Sequence, residues 1–154
     1  MLSVEQIYLS PGHNFIGHHG RSPSAHATVA VQTAEAVAGR GLRGDRFFDY
    51  RPDYKGQLTL FAADVFTQLR AAFSLPDASP AALRRNLLVR GPNLNALIGV
   101  EFELQGLRLA GIEECRPCYW MDTVLAPGAE EWLRGRGGLR CRILTSGWLA
   151  CDCR

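Results

Sequence analysis

Short runs in which apolar and polar residues alternate dominate this chain, and they predict β-strands. Glycine, proline or another turn-forming residue bounds most of these runs, which is typical of short strands. Many short strands with few helices favour a barrel or a sandwich with helices attached. The predicted strands cover residues 4–10, 27–39 with a break at Gly39, 56–61, 86–90, 99–105, 107–114, 139–147 and 148–151.

The clearest helical pattern lies at residues 62–73, where Val65, Phe66, Leu69 and Phe73 share one face. Asp64 falls in the first turn, where a negative charge suits the helix dipole. A short helical turn is expected before the strand at 86–90, and one or two short helices after residue 118. Parallel βαβ repetition is absent from the pattern, so we expect a mainly antiparallel fold with a hairpin around Gly106.

Composition limits the function classes. At 154 residues, with 47% hydrophobic and 21% charged residues, the chain suits one globular domain spanning residues 1–154. A net charge of +2 is too small to predict nucleic-acid binding, and no stretch is apolar enough to cross a membrane. The first residues lack the features of a secretory signal, so a cytoplasmic protein with reduced thiols is expected.

The cysteines are odd in number and crowd the last third of the chain, which argues against a disulfide framework. Two of them form a CxxC motif in ECRPCYW, with Arg116 and Pro117 between Cys115 and Cys118. A strand precedes the motif and a helix follows it, a corner that favours a reactive thiolate. A structural zinc site fits less well, because the other cysteines lack zinc-ribbon spacing. The alternative without chemistry is that Cys115 and Cys118 are two small buried side chains. The five cysteines are Cys115, Cys118, Cys141, Cys151 and Cys153.

Three segments combine glycine with arginine, and each alone is most simply a turn or a solvated surface. They are GLRGDR at 41–46, RRN at 84–86 and RGRGGLR at 134–140. Glycine-rich backbone and guanidinium groups both bind anions, and an aspartate such as Asp45 can hold an arginine in place. Together with the thiol pair, the three segments predict an anionic ligand held beside a cysteine. The candidates are Arg43, Gly44, Asp45, Arg46, Arg84, Arg85, Asn86 and Arg136.

All the histidines fall in one Gly/His/Ser/Pro segment at residues 12–26. They could gather on a metal ion, but two of them are adjacent rather than at helical spacing. A polar loop lining a pocket is the favoured interpretation. The residues are His13, His18, His19 and His26.

Taken in order, the motifs GLRGDR, RRNLLVRG, GVEFELQGLRLAGIEECRPC and GRGGLRCRIL resemble the MOSC domain family, named after the C-terminal domain of molybdenum cofactor sulfurase. The resemblance covers about residues 29–149. It implies a mainly β fold, a MOSC-like β-barrel with a few short α-helices, that binds molybdenum cofactor or carries sulfur. By position Cys118 matches the family's metal-binding cysteine, with Cys115 as the alternative. The 41–46 and 84–86 segments match the regions that hold the cofactor's pterin and phosphate.

The resemblance leaves three functions open. One is a molybdenum-cofactor protein, as in family members that reduce N-hydroxylated compounds; it would need an external electron donor, because no flavin or iron–sulfur signature is present. Another is a sulfur carrier that receives a persulfide from a PLP-dependent desulfurase. The third is a non-catalytic binding module. The final GWLACDCR departs from the family's usual close, with Cys151 at an expected turn glycine, and it leaves Cys151 and Cys153 without a predicted role.

Overall fold

A computed structural model describes residues 1–12 and 27–152. The predicted histidine loop and Cys153 lie outside the described residues. Within them, the strands are β1 Ser3–Leu9, β2 Val29–Val31, β3 Thr33–Val37, β4 Gly41–Leu42, β5 Leu58–Ala62, β6 Leu87–Arg90, β7 Glu101–Leu104, β8 Leu107–Glu114, β9 Leu139–Ile143 and β10 Gly147–Ala150. The α-helices are α1 Ala63–Ala72, α2 Trp120–Val124 and α3 Ala129–Leu133, and single 3₁₀ turns occupy Pro80–Leu83 and Leu94–Leu97.

The strands form two sheets. Seven strands make a mixed sheet in the order β2-β1-β6-β5-β9-β8-β7, and three make a second sheet in the order β10-β3-β4. Only Gln32 separates β2 from β3, so the chain passes from one sheet to the other at that residue. The mainly β prediction is confirmed. No closed barrel is found among the described strands, so the barrel itself remains a prediction.

The expectation that the chain has no parallel βαβ unit is wrong at one place, although the described fold is mainly antiparallel as predicted. Strands β5 and β6 pair in parallel, with Leu60 opposite Leu87, and α1 lies between them in the chain. This is a single βαβ unit, and a unit that occurs once leaves no repeat in the sequence. Phe66 and Leu69 of α1 are buried in the cluster that packs beside these strands. The other pairings among the described strands are antiparallel.

Alternate residues along β9 point to opposite faces of the sheet, so core residues lie on one face and site residues on the other. In β9, Leu139, Cys141 and Ile143 are buried in the main core cluster. The alternate residues, Arg140 and Arg142, therefore face the other side of the sheet. The final strand packs well despite its unusual sequence, because Leu149 is fully buried and β10 pairs with β3. No helix among the described residues is long and apolar enough to cross a membrane.

Candidate functional site

A cleft of about 230 Å³ lies where the loop after β4, the turn before β6 and the loop after β8 meet. Among the described residues, its lining includes five arginines, both cysteines of the CxxC motif and no carboxylate. The lining residues are Arg46, Phe47, Tyr54, Gly56, Thr59, Leu83, Arg84, Arg85, Cys115, Arg116, Cys118, Trp120, Met121 and Arg140. The predicted convergence of Arg46, Arg84 and Arg85 on the thiol pair is therefore observed.

Arg84 is a buried member of this charge cluster. Its backbone is left-handed, with φ 57°, and the residue is only 7% exposed. One nitrogen, Nη2, donates to the carbonyl oxygen of Gly12 at 2.5 Å, whereas Nε and Nη1 are buried without a hydrogen-bond partner in the described chain. Burial, aided by the charge of Arg46, lowers the Arg84 pKa to about 10. A buried guanidinium with open donors is suited to an anion that supplies the missing acceptors.

Arg46 lies next to Arg84 and also has a buried hydrogen-bond donor without a partner in the described chain. Its Nη2 approaches the backbone oxygen of Arg84 at 3.4 Å, and its buried Nη1 has no hydrogen-bond partner among the described residues. Asp45 holds Arg46 from behind, with Oδ1 at 3.5 Å from Nη1 while it also accepts from the Ser10 amide at 2.9 Å. Burial lowers the Arg46 pKa, and the positive charge of Arg85 adds to that effect against the opposing charge of Asp45. Asp45 thus fixes an arginine, as the sequence suggested.

Arg85 lines the cleft but uses its donors on the protein. Nη1 donates to the Leu83 carbonyl at 3.0 Å, Nη2 to the Cys115 carbonyl at 2.9 Å and Nε to the Gly137 carbonyl at 3.0 Å. It therefore contributes charge to the cleft while it ties the cysteine loop to two other segments.

The two cysteines differ in exposure. Cys115 is 5% exposed, and its amide donates to the Gly138 carbonyl at 2.8 Å. Cys118 is exposed at the cleft, and its carbonyl accepts from the Met121 amide at 2.9 Å. The helix that follows, α2, has only five residues, so its dipole adds little at Cys118. The positive field at the thiols comes from the surrounding arginines instead.

Glycines in the 134–140 segment serve close packing. A side chain on Gly137 would bring its Cβ to 2.4 Å from the Cys115 carbonyl oxygen, and one on Gly138 to 2.3 Å from the Leu60 carbonyl oxygen. Gly137 and Gly138 therefore let β9 begin directly against the cysteine loop. The glycines of the predicted Gly/Arg segment therefore allow close backbone packing, and Arg140 at the end of that segment lines the cleft.

Arg140 completes the cleft on the β9 side. Its Nη1 bonds to the Tyr54 hydroxyl at 3.1 Å, and its buried Nε has no hydrogen-bond partner in the described chain. Burial acts to lower the Arg140 pKa, but the nearby Cys115, Tyr54 and Glu113 outweigh it, and the net shift is upward. The sequence placed Arg140 in the predicted segment 134–140 but not among the candidate ligands, although strand alternation in 139–143 could have placed it opposite the core. Tyr54 lies in an irregular segment and had no comparable signal.

Five predicted site residues do not line the cleft, and the first of them is Asp45, which contacts Arg46 but is not part of the lining. Arg43 is exposed and pairs with Glu35 at 2.7 Å, and Gly44 forms part of the turn beside it. Arg136 stacks on the Trp132 ring with 3.9 Å between the guanidinium carbon and the ring centroid, beside a different cavity.

The fifth residue, Asn86, is 2% exposed and uses its side chain to join three strands. Its Oδ1 accepts from the Thr59 amide and hydroxyl at 3.0 and 3.1 Å, and its Nδ2 donates to the Tyr8 carbonyl at 3.2 Å. These contacts fix β5 and β6 beneath the cleft.

Metal ligation by the protein alone has no support in the described residues. Within 1–12 and 27–152, no three His, Cys, Asp or Glu side chains come together as a metal site.

Comparison with known proteins identifies a family and a fold. The MOSC domain model matches residues 17–153. The YuaD protein of Bacillus subtilis is similar in structure, with a TM-score of 0.73 at 17% identity, over 97% of this chain and 92% of that one. YiiM of Geobacillus stearothermophilus gives 0.70 at 12% identity over 97% and 71%, and YiiM of Escherichia coli gives 0.65 at 14% over 98% and 65%. At these identities the likeness concerns the fold alone. No curated protein matches the chain.

Proposed function

This chain belongs to the MOSC domain family, and from that premise we propose that it binds molybdenum cofactor in the arginine-lined cleft, with Cys118 as the protein's ligand to the metal. The family as a whole is linked to this cofactor. One observation carries the proposal for this chain: arginines whose buried guanidinium nitrogens have no hydrogen-bond partner in the described residues line the same cleft as an exposed cysteine.

The unpartnered nitrogens suit a phosphate. Arg84 Nε, Arg84 Nη1 and Arg46 Nη1 are buried donors in the described chain, and each costs stability while its hydrogen bond is unmade. A phosphate ester carries about two negative charges and several strong acceptor oxygens. We assign the cofactor's phosphate to Arg46 and Arg84.

The walls of the cleft suit a flat ring system. Phe47, Tyr54 and Trp120 line it along with Met121, so apolar and aromatic surface lies beside the cationic floor. A volume of about 230 Å³ is below the roughly 300–1,000 Å³ of pockets that enclose drug-sized ligands. A pterin would therefore be held at its phosphate end and extend towards the opening, where Cys118 is exposed.

Each protein group has a distinct part in this proposal. When bound, the cofactor supplies the redox chemistry, which the side chains alone cannot perform. Cys118 would offer its sulfur as the protein's ligand to the metal, in a cleft lined by arginines. Arg85 holds the cysteine loop through the Cys115 carbonyl. An oxidoreductase of this kind, acting on N-hydroxylated compounds, would draw electrons from a separate reductase.

A second candidate is favoured by the exposure of Cys118. A sulfur carrier needs a thiol that a PLP-dependent desulfurase can reach, and Cys118 is exposed whereas Cys115 and Cys141 are buried. Either function requires a reduced thiol, which fits a reducing compartment such as the cytoplasm. A binding module without chemistry is the third candidate.

Purification from two hosts separates these functions. We expect protein from a host that makes molybdenum cofactor to carry a fluorescent pterin and molybdenum, and protein from a host that lacks it to carry neither. Arg84→Gln should lose most of the pterin, and Arg142→Gln, which changes an arginine outside the cleft, should keep it. A persulfide on Cys118 without pterin would favour the sulfur carrier. If folded wild-type protein carries neither a pterin nor a persulfide, the binding module is the remaining function.

A further inference from the structure

The guanidinium of Arg140 has a nitrogen without a hydrogen-bond partner in the described chain, and the cofactor's phosphate, assigned to Arg46 and Arg84, does not account for it. Tyr54 fixes the guanidinium through Nη1 at 3.1 Å, which leaves Nε buried and unpartnered among the described residues. Glu113 Oε1 lies 3.9 Å from Nε, too far for a hydrogen bond, and the same oxygen meets Lys55 at 2.6 Å. Glu113 therefore forms an ion pair with Arg140 but does not accept a hydrogen bond from its Nε.

The positive charge of the cleft exceeds what one phosphate ester requires. In the part of the chain that the structure describes, five guanidinium groups line it and no carboxylate does. A phosphate ester contributes about two negative charges, and a thiolate contributes a third. Asp45 offsets part of the Arg46 charge from behind. Glu113, at 3.9 Å, offsets part of the Arg140 charge, but the Nε of Arg140 still has no hydrogen-bond partner in the described chain and can donate to a second anionic group.

Apolar surface accompanies this cation. Tyr54 stacks on Phe47 with ring centroids 5.2 Å apart, and both rings line the cleft beside Arg140. Their position next to a guanidinium fits a small molecule that has a planar anionic group on an apolar body. Side-on binding of a carboxylate through Nε and a terminal nitrogen is the geometry that arginine favours.

We propose that Arg140, oriented by Tyr54, is a carboxylate-binding subsite that selects small substrates with a planar oxyanion on an apolar body. The subsite is separate from the phosphate anchor at Arg46 and Arg84. Its role in choosing a substrate rests on the proposed function, but its ability to bind a carboxylate does not.

Calorimetric titration with sodium benzoate tests the subsite directly, in protein from the cofactor-deficient host. Wild type should bind benzoate and discriminate against benzamide, the neutral isostere. Arg140→Gln should weaken benzoate binding about tenfold or more, as expected for the loss of a charge-assisted pair. Arg140→Lys keeps the positive charge but loses the planar, two-pronged guanidinium. Its affinity for benzoate should lie between those of wild type and Arg140→Gln. Arg142→Gln, on the same strand but outside the cleft, should match wild type.

A second comparison separates this proposal from the proposed function. Arg84→Gln should keep benzoate binding and lose pterin from protein made in the cofactor-producing host, and Arg140→Gln should show the reverse. If both variants lose both ligands, the cleft has one anion site and the subsite proposal is wrong. If wild type binds benzoate through Arg140 but never carries pterin, the subsite stands and the cofactor proposal fails. Equal binding of benzoate and benzamide would also overturn the subsite.

Discussion

The guanidinium of Arg85 donates a hydrogen bond to the carbonyl oxygen of Cys115 at 2.9 Å. The same group binds the carbonyls of Leu83 and Gly137, so one side chain joins three segments that border the cleft. Sequence reasoning assigned Arg85 to the cofactor. The hydrogen bonds identify it as a positioning residue, because the loop that carries Cys118 is anchored through it.

Replacement of Arg85 with methionine should loosen this loop. Three carbonyls would lose their donor, and we expect the free energy of unfolding in urea to fall by about 2 kcal/mol. Cys115, buried in the wild type, should be alkylated severalfold faster when followed by peptide mass spectrometry. Arg90→Met is the control, since Arg90 forms only exposed ion pairs with Glu5 and Asp64 and should change stability by less than about 1 kcal/mol. Unchanged Cys115 reactivity in Arg85→Met would contradict the positioning role.

Gly137→Ala should displace the cysteine loop from β9. The new Cβ would lie 2.4 Å from the Cys115 carbonyl oxygen and 2.8 Å from the Pro117 ring, so backbone must move. We expect a loss of about 3 kcal/mol, at the upper end for overpacking. Gly135→Ala has open space around it and a φ of 84°, so it should cost only the left-handed strain of about 1 kcal/mol. Equal losses for the two variants in thermal or urea unfolding would show that the close contact is not needed.

Asn86→Ala should destabilise the fold without a selective effect on ligand binding. It removes the contacts to Thr59 and Tyr8 and leaves buried backbone groups unpaired, which costs about 3 kcal/mol. Asn95→Ala is the matched control, because Asn95 is exposed and its side chain donates only to the Gly135 carbonyl. Pterin retained per folded molecule should stay at the wild-type level in both variants. A specific loss of pterin from stable Asn86→Ala protein would restore the cofactor-binding role that the sequence suggested.

Arg84→Gly should raise stability while it removes the anion site. Glycine relieves the left-handed backbone at φ 57° and the burial of a poorly paired charge, a gain of about 1 kcal/mol. The folded pKa of Arg84 is about 10, below its ordinary 12.5, so the penalty persists at neutral pH and is relieved only as the pH rises above about 10.

Ser74→Gly supplies the control for that gain. Ser74 has a φ of 53° after α1 and lies outside the cleft, so glycine there should stabilise the fold and leave pterin binding unchanged. A large loss of stability in Arg84→Gly, measured by urea unfolding, would show that the guanidinium supports the fold rather than a ligand.

Periodicity predicted the longer elements of the fold. The helical face at residues 62–73 corresponds to α1, Ala63–Ala72, and the strands around Gly106 form the hairpin of β7 and β8. The two-residue strand Gly41–Leu42 and the 3₁₀ turn Leu94–Leu97 are too short to leave a periodic pattern. The parallel pairing of β5 with β6 depends on contacts distant in the sequence, which periodicity does not reveal.

The sequence predicted which types of residue form the site better than it predicted what each residue does there. Clustered glycines and arginines correctly indicated that Arg46 and Arg84 meet the CxxC motif. Residue type does not show which donors a backbone carbonyl already uses, so Arg85 and Asn86 were assigned to a ligand. Arg140 was left out of the candidate ligands for the complementary reason: its open Nε is evident only once Tyr54 and β9 are in place.

The molybdenum content of cysteine variants made in a cofactor-producing host tests the central claim most directly. Cys118→Ser should stay folded and keep pterin through Arg46 and Arg84, while molybdenum per protein, measured by elemental analysis, falls to a small fraction of the wild-type value. Cys115→Ser should retain most of the metal, because Cys115 is buried and supports the loop. If Cys115→Ser loses the metal and Cys118→Ser retains it, the roles of the two thiols are reversed. If both variants keep wild-type molybdenum, Cys118 is not the metal ligand and the account is wrong.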